Sequence, residues 1–156
     1  YADTPQKRPK HRFTLDYEPL DGLQLGFENN PSVGEYGFRG TWVAVHETEK
    51  TPMIHINTSS DRIGTPAGYQ QASITVAKSI PDSIFAPYVS LTYSGFEKKF
   101  VFPFGVNCKL HENWNLITMN DGRKSHLLLT FSQKDFYLQA GWIWFKHPMI
   151  TMGWGF

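Results

Sequence analysis

Six histidines, His11, His46, His55, His111, His126 and His147, are the side chains best suited to hold a metal or move a proton. They are scattered, with no His-x-x-x-His pair, and Cys108 is the only cysteine, so no Cys-x-x-Cys exists either. No metal or other cofactor is expected. Ser59 or Ser60, Asp61 and one of the histidines would supply the nucleophile, orienting acid and base of a hydrolase. There is no Gly-x-Ser-x-Gly elbow, and Ser-Ser-Asp-Arg followed by Gly-Thr-Pro is first of all turn-forming chemistry. The residues 120–126, Asn-Asp-Gly-Arg-Lys-Ser-His, form a polar constellation that Asp-Gly already explains as a hairpin turn. The glycines stand singly, which excludes a phosphate-cradling loop. A non-enzymatic role is therefore expected, with hydrolysis kept as an alternative.

The elements that would position these residues are strands. Phe13, Leu15 and Tyr17 alternate with Thr14, Asp16 and Glu18, and after Asp21-Gly22 the pattern resumes as Leu23, Leu25 and Phe27. Asp-Gly between two alternating runs is a tight-hairpin signal. The two-residue period continues through Tyr36, Phe38 and Trp42, through Ile54 and Ile56, Ile74 and Val76, Val89, Leu91 and Tyr93, and Phe100, Phe102 and Phe104. Loops are expected at 29–34, at 59–68, which is the longest, and at 78–87. Pro103 interrupts a strand and predicts a bulge or an edge. The runs amount to about eleven strands of roughly 8 to 12 residues, near the 9 to 11 that a tilted membrane strand needs. No segment has a helical period. The opening residues 1–10, with Lys7, Arg8 and Lys10 among Pro5 and Pro9, predict an extended polar tail, and 11–156 a single domain.

Bulk properties narrow the class. At 156 residues one domain is expected. Fifteen Lys and Arg against fourteen Asp and Glu give a formal charge of +1, which gives no reason to expect a nucleic-acid partner. One cysteine rules out an internal disulfide framework. Aromatics make up 15% of the chain and all charged residues 19%, a skew that suits β-structure and the aromatic girdles of membrane barrels. No apolar run approaches the roughly 20 residues of a membrane-spanning helix, and residues 1–10 have no basic-then-apolar leader.

The last stretch is the most specific. Ile150, Met152, Trp154 and Phe156 occupy alternate positions, with Thr151, Gly153 and Gly155 between them. A strand that alternates in this way and stops on Phe resembles the closing strand of bacterial outer-membrane β-barrel proteins, whose C-terminal aromatic belongs to the signal read by the insertion machinery. The resemblance implies an all-β fold, an antiparallel up-and-down transmembrane β-barrel of about 10 to 12 strands. It also implies a place in the bacterial cell outer membrane. The expected partners are outer-membrane lipid, the barrel insertion machinery and other envelope subunits. Ile150, Met152, Trp154 and Phe156 would then face lipid. By alternation, Arg39, Thr41, His55, Asn57, Thr75, Asn107, His126 and Gln139 would line the lumen. Trp142, Trp144 and Trp154 read as girdle or packing residues. The expected role is a structural or anchoring subunit or a narrow passive pore. The alternatives are a soluble β-barrel or sandwich holding a small apolar ligand, and a lipid-modifying outer-membrane hydrolase.

Overall fold

The computed structural model describes residues 1–8 and 10–155. Twelve strands form one antiparallel sheet: β1 (Phe13–Leu20), β2 (Leu23–Asn30), β3 (Glu35–Val45), β4 (Met53–Ser60), β5 (Gln70–Ala77), β6 (Phe85–Ser94), β7 (Lys99–Val101), β8 (Phe104–His111), β9 (Trp114–Asn120), β10 (Ser125–Gln133), β11 (Phe136–Ile143) and β12 (His147–Trp154). A single 3₁₀ turn, Pro31–Val33, joins β2 to β3. Apart from β7, which pairs with β6 but not with β8, each strand pairs with its neighbours along the path, an up-and-down order. β7 and β8 both pair with β6 and are separated only by Phe102 and Pro103. Proline donates no N–H, so the ladder breaks there, while the Pro103 carbonyl still accepts from Ser90 N–H at 2.7 Å. The Asp21-Gly22 turn closes the first hairpin with Gly22 at φ 73°, a left-handed backbone that glycine adopts without strain.

A ladder from β12 back to β1, which a simple up-and-down barrel requires, is not made. The reason is parity. With β7 and β8 in one row, the path holds eleven strands, so its two edge strands run in the same direction and cannot pair antiparallel. Residues 1–3 sit at this seam. Ala2 forms an antiparallel bridge with Met149, Asp3 N–H donates to the Pro148 carbonyl at 2.8 Å, and Ile150 N–H donates to the Tyr1 carbonyl at 2.8 Å. On the other side Ala2 N–H donates to the Lys10 carbonyl at 3.1 Å, just before β1. The opening residues, expected as a tail, thus supply backbone groups that β12 would otherwise leave unpaired.

Alternation sorts the side chains into two faces. Phe13, Leu15, Tyr17, Phe27, Tyr36 and Phe38, on three adjacent strands, are each more than half exposed, and the same face continues through Leu91, Phe104 and Trp142 to Met152 and Trp154. The opposite face is shielded and changes character around the sheet. On β2 to β6 it holds Glu28, Arg39, Asn57, Ser73, Thr75, Ser90 and Thr92, and on β9 to β12 it holds Ile117, Met119, Leu128, Ile143 and Met149. Ile143 is 1% exposed.

Within this inner face Tyr137 lies opposite Gly153, and its ring covers the glycine so closely that a Cβ there would overlap it. Gly153→Val should therefore displace Tyr137 and lower unfolding stability by about 1–3 kcal/mol. In a Tyr137→Ala background the same change should cost much less, and a double-mutant cycle of denaturant midpoints checks the coupling.

Candidate functional site: a capped, charged interior

The turns 31–34, 61–69, 95–98, 121–124 and 144–146 gather at one end of the sheet, and residues 4–8 fold in among them. The 61–69 loop reaches far around the sheet: a Cβ on Gly64 would stand 3.4 Å from Trp144 Cζ2, although β4 and β12 lie at distant positions of the path. The sheet is curled enough for its loops to meet over the inner face.

Arg8 is the centre of this cap. Its Nε donates to Glu35 Oε2 at 2.7 Å, and its Nη1 donates to the Asp61 carbonyl and to Thr65 Oγ1, both at 2.9 Å. Glu35 in turn accepts from Asn30 Nδ2 and Gly68 N–H, each at 2.7 Å. The Arg8 and Glu35 side chains are 9% and 3% exposed. Asp61 organises its own loop, accepting from Ser94 Oγ at 2.6 Å and from the N–H groups of Arg62 and Phe96. Desolvated charges of this kind need most of their lone pairs and protons matched; Arg8 Nη2 is the exception at this centre, buried without a hydrogen-bond partner among the described residues.

Above this layer Glu97 pairs with Arg62, Arg123 and Lys99. Partial burial acts to raise its carboxyl pKa, but the Arg123 and Lys99 contacts and the Arg62 charge outweigh it and hold the group at about 2. At the next turn Asp121 Oδ2 lies 3.0 Å from His126 Nε2, and Asp121 Oδ1 accepts from the Arg123 and Lys124 N–H groups. Burial again acts to raise the Asp121 carboxyl, and the His126 contact and backbone donors leave it below the usual carboxylate value.

Below the cap is a polar cavity of ≈ 90 Å³, lined by Arg12, Asp16, Gln24, Arg39, Gly40, Thr41, Asn57, Thr58 and Ser59. Arg39 Nε donates to Asp16 Oδ1 at 3.0 Å. Glu28, fully buried, accepts from Ser60 Oγ and has the guanidinium groups of Arg12 and Arg39 at 3.6 and 3.7 Å. Through Glu28, Arg12, Arg39, Asp16 and Ser60 this cluster ties β1 to β4 together.

The eight residues expected on a lumen fall in four places. Arg39, Thr41, His55, Asn57 and Thr75 form one block on β3 to β5: Thr41 opposes Asn57, Asn57 accepts from Ser73 Oγ, His55 opposes Thr75, and Thr75 Oγ1 lies 2.7 Å from Ser90 Oγ. Gln139 stands apart on β11, its Nε2 donating to Thr130 Oγ1 at 2.9 Å. His126 belongs to the cap, and Asn107 opposes Ile117, its Oδ1 buried without a hydrogen-bond partner. Ile150, Met152 and Trp154 are 44%, 69% and 75% exposed, and Phe156 lies outside the described residues.

The hydroxyls that a hydrolase would use have other partners. Ser59 Oγ accepts from Gln71 Nε2, Ser60 Oγ donates to Glu28, and Ser125 Oγ accepts from Asn120 Nδ2. Among the described residues no three His, Cys, Asp or Glu side chains gather as a metal site. Sequence reading missed the central role of Arg8, Glu28 and Glu35. Their only signal was a charge, in a proline-rich tail for Arg8 and near a strand end beside a turn for Glu28 and Glu35, which is also how a solvated charge looks. Comparison with protein-family models, with curated proteins and with solved structures finds no match.

Two outcomes follow. Arg8→Ala strands a buried Glu35 and should cost about 3–5 kcal/mol of unfolding free energy, while adding Glu35→Gln should recover much of that loss. Glu97 has a folded pKa below its ordinary 4.5, so its contribution is fully present above pH 4.5 and is lost as pH falls toward about 2. Amide exchange or proteolysis of the 95–98 loop should accelerate across that window, and Glu97→Gln should be fast already at neutral pH.

Proposed function

We propose that this protein is a small bacterial outer-membrane β-barrel that serves as a structural or anchoring scaffold and does not conduct as an open pore. The observation that carries this reading is the exposed face. The six large side chains on β1 to β3 alone present on the order of 600 Å² of apolar surface, at or beyond the roughly 300–600 Å² of the largest patch on a typical soluble monomer. The face continues across the rest of the sheet. In water such a surface would drive association; in hydrocarbon it is matched to its solvent.

Strand length agrees. β3, β6 and β10, with 11, 10 and 9 residues, reach the roughly 9–11 needed for a tilted crossing, and most others, with 8, come within one residue of it. The polar and charged groups lie on the shielded face, where hydrogen bonds and ion pairs satisfy them away from lipid. The bridge between Ala2 and Met149 supports closure of the cylinder by residues 1–3 as a short strand between β12 and β1. The scaffold role is favoured over a pore by the cap and by the way side chains fill the interior. Under this reading the partners are outer-membrane lipid, the insertion machinery and neighbouring envelope subunits that use the barrel as an anchor.

The protein should extract only with detergent and migrate differently on a gel before and after boiling, because a closed barrel resists unfolding. Leu91→Arg, at mid-strand on the exposed face, should destabilise the membrane-inserted form by about 2–4 kcal/mol. A monodisperse protein in plain buffer would overturn the membrane reading and favour a soluble β-protein with an apolar ligand. Stepwise conductance in a planar bilayer would replace the scaffold with a pore.

A further inference from the structure

We infer that the cleft beside the β11–β12 turn seats the phosphate-bearing headgroup of an anionic membrane lipid; this rests on the membrane reading above. The turn itself is the first observation. Lys146 N–H donates to the Ile143 carbonyl at 3.0 Å, and the two residues between them, Trp144 and Phe145, have φ of 56° and 55°. Two consecutive left-handed residues make the primed hairpin turn, which ordinarily carries Asn and Gly because a bulky side chain is strained there. Two large aromatics held in such a turn are strained, and strain of this kind gathers at ligand sites.

The second observation is the composition of the cleft. It is an open cleft of ≈ 490 Å³ lined by Lys124, Ser125, Trp144, Phe145, Lys146 and His147. That set has two ammonium groups, an imidazole and a hydroxyl, and no carboxylate. The nearest acid along the chain, Asp121, spends its oxygens on His126 and on the Arg123 and Lys124 backbone. Neither Lys124 nor Lys146 has an acidic partner among the described residues. Lys124 Nζ is held over the Trp144 ring, 3.7 Å from its centroid, and the His147 ring meets the edge of the same indole.

The third is position. The cleft lies at the capped end, next to the apolar face, where Trp142 and Phe145 are 52% and 58% exposed. Cations beside an aromatic wall at the boundary of an apolar belt fit an amphiphile with an anionic head: charge-assisted contacts from Lys124 and Lys146 to the phosphate, and Phe145 against the adjoining chain. A free phosphate would satisfy the lysines but leave the exposed aromatics unused.

The test uses the full chain in zwitterionic detergent, with short-chain phosphatidylglycerol, short-chain phosphatidylcholine and inorganic phosphate as probes and bound lipid read by native mass spectrometry. The expected result is a preference of about tenfold or more for phosphatidylglycerol, which is one ordinary charge-assisted contact. Lys124→Gln with Lys146→Gln should abolish the preference, and Lys50→Gln with Lys134→Gln, at the opposite end, should keep it. Phe145→Gly relieves the strained turn, so it should raise stability while weakening both lipids alike; a purely structural Phe145 would lower stability and leave binding unchanged. The inference is overturned if the Lys124 and Lys146 variant keeps the preference, or if inorganic phosphate competes as strongly as the lipid. A wild-type protein that needs no detergent would overturn the membrane reading itself, whereas detergent-dependent protein with no lipid preference would sink only the headgroup site.

Discussion

Eleven strand rows in one antiparallel path leave the first and last strand pointing the same way, and much else in this protein depends on that constraint. A β12–β1 ladder of the antiparallel kind is impossible, so both edges would present unpaired N–H and C=O groups. Residues 1–3 run antiparallel to β12 and make one backbone hydrogen bond to the chain just before β1, so part of this edge is covered by a segment only three residues long. Having been drawn to the seam, the chain must return to β1 through residues 4–12, and that path delivers Arg8 into the loops at the capped end.

The inner face shows how a shielded surface without a conventional apolar core is stabilised. On the β1–β6 side, charges are desolvated and so must be matched: Glu28 with Arg12 and Arg39, Glu35 with Arg8, and Asp61 with Ser94 and backbone donors. Removing one member leaves its partner buried and uncompensated, so the network is cooperative and specifies one arrangement of β1 to β4. On the β9–β12 side, Ile117, Leu128, Ile143 and Met149 pack in the ordinary way. The two halves meet under the cap, where the 61–69 loop reaches Trp144.

The cap is polar and ionic, and the exposed face below it is apolar. Glu97, tied to Arg62 and Arg123 from two other turns and to Lys99 of its own hairpin, holds the outer layer of the cap together and responds to acid. The neighbouring β11–β12 turn combines strain, aromatic exposure and unpaired lysines at the border between the two regions.

Much of the fold was legible in the residues themselves. The two-residue alternation determined the strands, their exposed side chains and the hairpin at Asp21-Gly22, because in a strand the period of the side chains is fixed by backbone geometry. Pro103 announced the interruption between β7 and β8, since a missing N–H has the same consequence in any sheet. The site was only partly legible. Alternation assigned Arg39, Thr41, His55, Asn57 and Thr75 to one face, but it carries no information on which of them touch. Arg8 looked like a solvated charge in a proline-rich tail, and only the tertiary structure joined it to Glu35 and Asp61, 27 and 53 residues away. The missing ladder between β12 and β1 was likewise decided in three dimensions. Local periodicity sets which way each side chain points, but the direction of the last strand relative to the first depends on the parity of the whole path, and no single stretch of sequence contains it.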